Sequence, residues 1–297
     1  MEFLVLDNKI SAISVSVAAA AASVGAGQAA DLRSMAPAPA APVVENPFFV
    51  SVEGGAAFSD FAKKSTASEF TQDKLGVSPK TSIGPYASIS IGRKIEGTQY
   101  DWRVSASSTT FLNNSVAGFY GPYNAESGNS AGFQAGDFDI GRTFKTDLFQ
   151  ARVFAGARAM HAHAKSSYSG GYLGIYSASI NQSSRFLGVG PRAGADVRFG
   201  QELGLVASVS AAALYGQQQN KTSLGFNVLS YNFGASISDT KYDWVTDVAA
   251  SLAASWKPSE KTELSAGYRA EKLFSINTPQ GKDLMSHGPF LKLDVKY

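Results

Sequence analysis

From Phe48 to Tyr297 apolar residues recur at every second position, and helical periodicity is hard to find. In 243–256 one parity carries Trp244, Val248, Ala250, Leu252, Ala254 and Trp256, and the other carries Asp243, Asp247, Ser251 and Ser255. In 185–199 Leu187, Val189, Ala193, Ala195, Val197 and Phe199 oppose Gly188, Gly190, Arg192, Gly194, Asp196 and Arg198. In 149–161 Phe149, Ala151, Val153, Ala155 and Ala157 oppose Gln150, Arg152, Gly156 and Arg158. A period of two with one apolar face is a strand dry on one side and wet on the other. Ten such segments follow one another: 48–58, 82–95, 98–111, 132–144, 148–161, 184–200, 203–216, 243–256, 261–273 and 287–297. Each approaches or exceeds the ~9–11 residues that a tilted transmembrane strand needs.

The connections sort by length. Glu96-Gly97, Lys145-Thr146-Asp147, Gly200-Gln201-Glu202 and 257–260 (KPSE) are tight turns, whereas 59–81, 112–131, 162–183, 217–242 and 274–286 are long and polar. Strict alternation of short and long connections is the plan of an outer-membrane barrel, with short turns and both termini on the periplasmic side. The pattern therefore predicts an all-β fold, a transmembrane antiparallel β-barrel of ten strands with short periplasmic turns and long extracellular loops. Residues 168–180 and 223–238 also contain alternating stretches. They either extend hairpins above the membrane or add a pair of strands, for twelve. Trp244 and Trp256 share a parity, and the twelve steps between them cover roughly 30 Å along the membrane normal at the usual rise and tilt. Trp102, Phe149, Phe199 and Trp256 are expected on the periplasmic aromatic girdle, and Phe133, Tyr215 and Trp244 on the outer one.

Composition narrows the class. Charged residues are 17% of the chain, below the roughly 25% usual in soluble domains, and a mean hydropathy of −0.07 is too polar for a bundle of membrane helices. With 26 Lys+Arg against 24 Asp+Glu there is no dense basic face for nucleic acid. Cysteine is absent, which excludes disulfides and thiolate chemistry. Residues 10–24 (ISAISVSVAAAAASV) read as the apolar core of a signal peptide spanning 1–29, cleaved after Ala29 or Ala30. A Pro/Ala-rich periplasmic linker, 30–47, precedes the barrel of 48–297. At the other end Leu291, Leu293, Val295 and Tyr297 alternate with Lys292, Asp294 and Lys296. A last strand of this kind ending on an aromatic resembles the β-signal read by the bacterial barrel-assembly machinery. The expected location is the outer membrane of a Gram-negative cell, among lipid and lipopolysaccharide.

Residues 186–199 (FLGVGPRAGADVRF), followed by Leu203-Gly-Leu and the run to Ala213-Leu-Tyr-Gly216, look like a signature hairpin. They resemble the Legionella-type major outer membrane protein family, as do 288–292 (GPFLK) and 49–54 (FVSVEG) near the ends of the barrel. The resemblance implies a pore-forming surface protein that passes small solutes. Legionella members are associated with cysteine cross-linking, which a chain without cysteine lacks.

Few residues suit chemistry. His161 and His163 share a parity, and His287 starts the last strand. An H-x-H pair on a strand is able to chelate a metal, but no third ligand is adjacent in sequence, and no serine has a nucleophile context. The expectation is a protein without enzymatic activity, cofactor or metal. The polar parity says more. Arg103, Arg152, Arg158, Arg192, Arg198 and Arg269, with Asp137, Asp139, Asp196, Asp247 and Glu263, are the candidate pore-lining residues. Either they line a narrow aqueous channel for small hydrophilic solutes, or they pair across the lumen and plug it. In the second case the barrel is structural or adhesive and works through its loops.

Overall fold

The computed structural model describes residues 48–59, 81–120, 123–173, 175–229, 231–279 and 283–297, without the side chains of 112–116 and 118–120. The signal-peptide and linker segments lie outside the described residues. Ten antiparallel strands close into one barrel in the order β1-β10-β9-β8-β7-β6-β5-β4-β3-β2. They are β1 (Phe48–Ser59), β2 (Ser82–Lys94), β3 (Tyr100–Tyr120), β4 (Tyr123–Lys145), β5 (Phe149–Tyr172), β6 (Tyr176–Phe199), β7 (Leu203–Val228), β8 (Tyr231–Ser259), β9 (Thr262–Phe274) and β10 (Leu284–Lys296). Closure joins β1 to β10 from Phe49↔Lys296 to Phe58↔His287. The Tyr297 amide donates to the Phe48 carbonyl at 2.9 Å, so the two ends of the barrel chain meet on one rim.

The same rim carries the four tight turns. Gly97 (φ +69°) and Gly200 (φ +85°) take the left-handed backbone that a side chain disfavours. Thr146 accepts the Phe149 amide through its hydroxyl at 3.1 Å and donates its own amide to the Phe149 carbonyl at 2.9 Å.

At the opposite rim the hairpin-extension alternative holds for 168–180 and 223–238, and 112–131, expected as a loop, does the same. The segments 112–131, 162–183 and 217–242 are hairpin extensions of β3–β4, β5–β6 and β7–β8, paired almost to their tips at Tyr120↔Tyr123, Tyr172↔Tyr176 and Val228↔Tyr231. The extensions also pair with their neighbours, as in Tyr123↔Tyr172 and Tyr176↔Val228. Six strands therefore rise as one wall, while β1, β2, β9 and β10 stay at 12 or 13 residues. β8 is the longest, at 29 residues. No additional strand pair is present among the described residues. Once both faces of a strand are wet, an apolar parity is no longer needed, and the period-two signal fades although the ladder continues.

Below the wall, outward positions are apolar. Ile89, Ile91, Val104, Phe138, Ile140, Val153, Leu187, Val189, Leu205 and Leu252 are all exposed on the described chain, as a lipid-facing band requires. Phe149, Phe199 and Trp256 ring the turn rim, and toward the wall Tyr215 stacks on Tyr242 and meets Trp244 at a tilt.

Candidate functional site

The inward parity of every strand builds the lumen. At its middle lies a belt of charges that crosses from wall to wall. Arg158 on β5 reaches Asp137 on β4 (Nε–Oδ1 2.7 Å), Glu271 on β9 (Nη1–Oε1 3.1 Å) and Asp247 on β8, and all four side chains are buried. Arg269 continues the belt to Glu271 at 2.7 Å and Glu53 at 3.5 Å, its guanidinium 3.8 Å from the Tyr86 ring centroid. Arg192 pairs with Asp139. Toward the turn rim Arg152 holds Asp101 at 2.6 Å, Arg103 faces Asp196 at 3.5 Å, and Arg198 pairs with Glu263. Buried charges persist only with such partners.

Glycines let these side chains lie flat. Arg152 on β5 reaches Asp101 on β3 by passing over Gly141 of β4, the cross-strand partner of Asp101. A Cβ on Gly141 would sit 2.5 Å from the Arg152 Nε and 2.6 Å from its Cζ. Gly141→Ala should push Arg152 off Asp101 and cost about 1–3 kcal/mol, read as a lower urea midpoint of the refolded barrel. Gly156 lies between Asp139 and Arg192 on the ladders of β4, β5 and β6, where a Cβ would meet the β4 backbone at Phe138 and Asp139.

Above the belt the lumen turns apolar. Phe111, Phe133, Met160, Phe186, Leu214, Val245, Leu273 and Leu284 all point inward and are almost fully buried, joined by Tyr86 and Ile276 into one cluster. Phe133, expected on the outer aromatic girdle, is instead inside, at 2% exposure. Its parity is that of Asp137 and Asp139, so the pleat aims it at the axis. Phe133 and Phe186 lie in one cross-strand row with only Ala162 between them. The Gln218 side-chain amide closes the edge of this layer by donating to the Asn277 carbonyl at 2.7 Å.

Reading the inward parity as uniformly polar misses this layer. The signal is present strand by strand: Asp137 gives way to Ala135 and Phe133, Arg158 to Met160, Asp247 to Val245, Glu271 to Leu273, and Ser107 to Thr109 and Phe111. An interior that goes from charged to apolar on neighbouring strands forms one apolar layer across the barrel.

Below the belt a polar vestibule of about 750 Å³ opens toward the turn rim. Of the eleven sequence-predicted site residues, all but Asp247 line it: Arg103, Arg152, Arg158, Arg192, Arg198, Arg269, Asp137, Asp139, Asp196 and Glu263. Asp247 lies behind them against Arg158. Glu53, Asp101 and Lys292, also of the polar parity, share the lining, as do Lys94, Lys145 and Lys257 near the rim. The histidines are elsewhere. His161 and His163 stack at 6.0 Å on the outward face of β5, and His287 on β10 takes a 2.6 Å hydrogen bond with the Tyr268 hydroxyl.

A family model described as Legionella pneumophila major outer membrane protein precursor matches residues 84–297. The chain belongs to this family. The expectation drawn from the 186–216 hairpin is thus met, and the barrel resides in the bacterial outer membrane. Its turn rim faces the periplasm and its wall the outside. Solved structures with related shapes are outer-membrane proteins of low identity. The outer membrane protease OmpT from Escherichia coli is 9% identical with a TM-score of 0.41, covering 85% of this chain and 97% of its own. Neisserial surface protein A is 14% identical with a TM-score of 0.31, covering 84% and 97%. A major outer membrane protein from Thermus thermophilus is 12% identical with a TM-score of 0.33, covering 84% and 99%. A comparison with curated proteins returned no match.

Proposed function

We propose that this family member is a barrel closed at rest, which works through the extracellular wall of β3–β8. The observation that carries the reading is the apolar layer around Phe111, Phe133 and Phe186, stacked on a belt of mutually paired charges. Water and ions do not cross the apolar layer without side-chain rearrangement, because a dry constriction excludes them. The wall offers a broad contact surface, with Tyr231, Phe233, Ile237 and Leu229 exposed near the tip of β7–β8. Shortening β7–β8 by removing 221–238 and rejoining the ladder leaves the lipid-facing strands intact. Cells carrying that deletion should lose attachment to host or matrix surfaces while their uptake of small solutes stays unchanged. Unaltered attachment would remove the reading.

A second reading, passage of small hydrophilic solutes, draws on the polar vestibule of about 750 Å³. Among the described residues the apolar layer above it is built of strand side chains together with Ile276. This reading requires the wild-type barrel to conduct, and it is tested by the conductance measurement described in the Discussion.

A further inference from the structure

The outward face of the wall carries a charge pattern that neither lumen reading uses. On β5 it shows His161, His163 and Lys165, on β6 Arg185, and on β7 Lys221. The ladders align these residues. His163 faces Arg185 across β5–β6, Lys165 faces Ser183, and Ser183 faces Lys221 across β6–β7. Lys165 and Lys221 are thus two strands apart, about 9.6 Å, with Arg185 between them and one row lower. No Asp or Glu occurs on the outward parity of β5, β6, β7 or β8. The nearest, Glu126 on β4, is level with Ser169, four residues beyond Lys165. Among the described residues none of Lys165, Arg185 and Lys221 makes an ion pair.

The height of this band is specific. Trp244 pairs with Tyr215, and Tyr242 with Gln217, so the outer aromatic girdle is in ladder register with Ala159 to His161 on β5. His163, Arg185, Lys165 and Lys221 follow within roughly 5–15 Å above it at the usual rise and tilt. A depression of about 470 Å³ lies here, lined by Ser130, Lys165, Ser167, Asn181, Ser183 and Lys221. The field of the band is felt at His163, which lies outside the depression. His163 is held below the usual histidine range, first by burial and then by His161, Lys165 and Arg185. From these features we infer that β5–β7 hold the phosphorylated sugar headgroup of an outer-leaflet glycolipid of the lipid A type.

Lys165, Arg185 and Lys221 would bind phosphate oxygens through charge-assisted hydrogen bonds, and the serines and Asn181 would meet sugar hydroxyls. The apolar outward strands below receive the acyl chains, with Leu187 and Val189 directly beneath Arg185 on β6. One ligand is therefore gripped at both ends, which a free phosphate is not. The inference rests on outer-membrane placement alone and holds whether or not the lumen conducts.

The test uses the mature chain refolded in zwitterionic detergent, with native mass spectrometry as readout. The probes are a hexa-acyl glucosamine disaccharide 1,4′-bisphosphate, its dephosphorylated counterpart, and inorganic phosphate. The bisphosphate should bind one to one, and Lys165→Gln/Arg185→Gln/Lys221→Gln should weaken it about a hundredfold, since each basic group near an anionic lipid surface contributes about 1 kcal/mol. Wild-type protein should bind the dephosphorylated lipid far more weakly and inorganic phosphate not measurably. Because the three residues are exposed, the variant should keep its heat-modifiable mobility. Should it fail to fold, the comparison of the two lipids on wild-type protein still decides. Equal binding of both lipids, or a folded triple variant that binds like wild type, overturns the inference. Competition by inorganic phosphate at equal concentration would reduce the site to a general anion site and overturn it too.

Discussion

Phe133→Ser combined with Phe186→Ser converts a silent barrel into a conducting one. The two rings stand in one row of the seal, separated by Ala162, so their loss opens a continuous gap rather than two dimples. Serine is chosen over alanine because a purely apolar gap stays dry, whereas hydroxyls give water the partners it needs. The gap would connect the extracellular side to the charged belt and, past it, to the vestibule. The cost is roughly 3–5 kcal/mol for each phenyl ring removed from a packed interior. Urea titration of the refolded variant should show that loss alongside discrete conductance steps. Phe133→Leu, which keeps the layer apolar and nearly filled, should remain silent.

Arg158→Leu is the most destabilising single change expected in the charged belt. Its guanidinium is shared by Asp137, Asp247 and Glu271 on three strands, and all three carboxylates are buried. Removing the cation leaves Asp247 without its counter-charge, and Asp137 and Glu271 with only Arg192 and Arg269, a loss of about 3–5 kcal/mol for a broken buried pair. The midpoint of urea unfolding should fall accordingly. Adding Asp137→Asn and Asp247→Asn to Arg158→Leu should recover part of that loss, because the variant then buries fewer unpaired charges. A double-mutant cycle between Arg158 and Asp247 measures this coupling directly. If Arg158→Leu alone leaves the midpoint unchanged, the belt is solvated rather than paired.

Much of this architecture was legible in the chain. Period two in ten segments, alternating connection lengths, and the apolar-polar alternation up to Tyr297 located the strands, the rim with the turns and the lumenal charges. The 186–216 hairpin pointed to the family that the match over 84–297 establishes. Three features were less legible, each for a physical reason. The wall of β3–β8 was only partly legible: 168–180 and 223–238 alternate enough to suggest hairpin extensions, but 217–222, with its Gln, Asn and Lys, is wet on both faces and loses the alternation that would join them to the strands below. The seal was hidden because an inward Phe, such as Phe133 or Phe186, looks like any other aromatic until its parity is compared with that of Asp137 or Arg192. Which Arg meets which acid depends on how neighbouring strands are staggered. Arg158 and Asp247 lie 89 residues apart and meet only when the barrel closes.

The central claim, that the lumen is shut, is tested most directly by single-channel recording of the refolded wild-type chain in a planar bilayer under a salt gradient. A correctly folded, heat-modifiable barrel should give no discrete steps, while the Phe133→Ser/Phe186→Ser variant gives them in the same bilayer. Reproducible steps from the wild-type protein, with a reversal potential that reports ion selectivity, would contradict the closed lumen and make the charged belt the lining of a working pore.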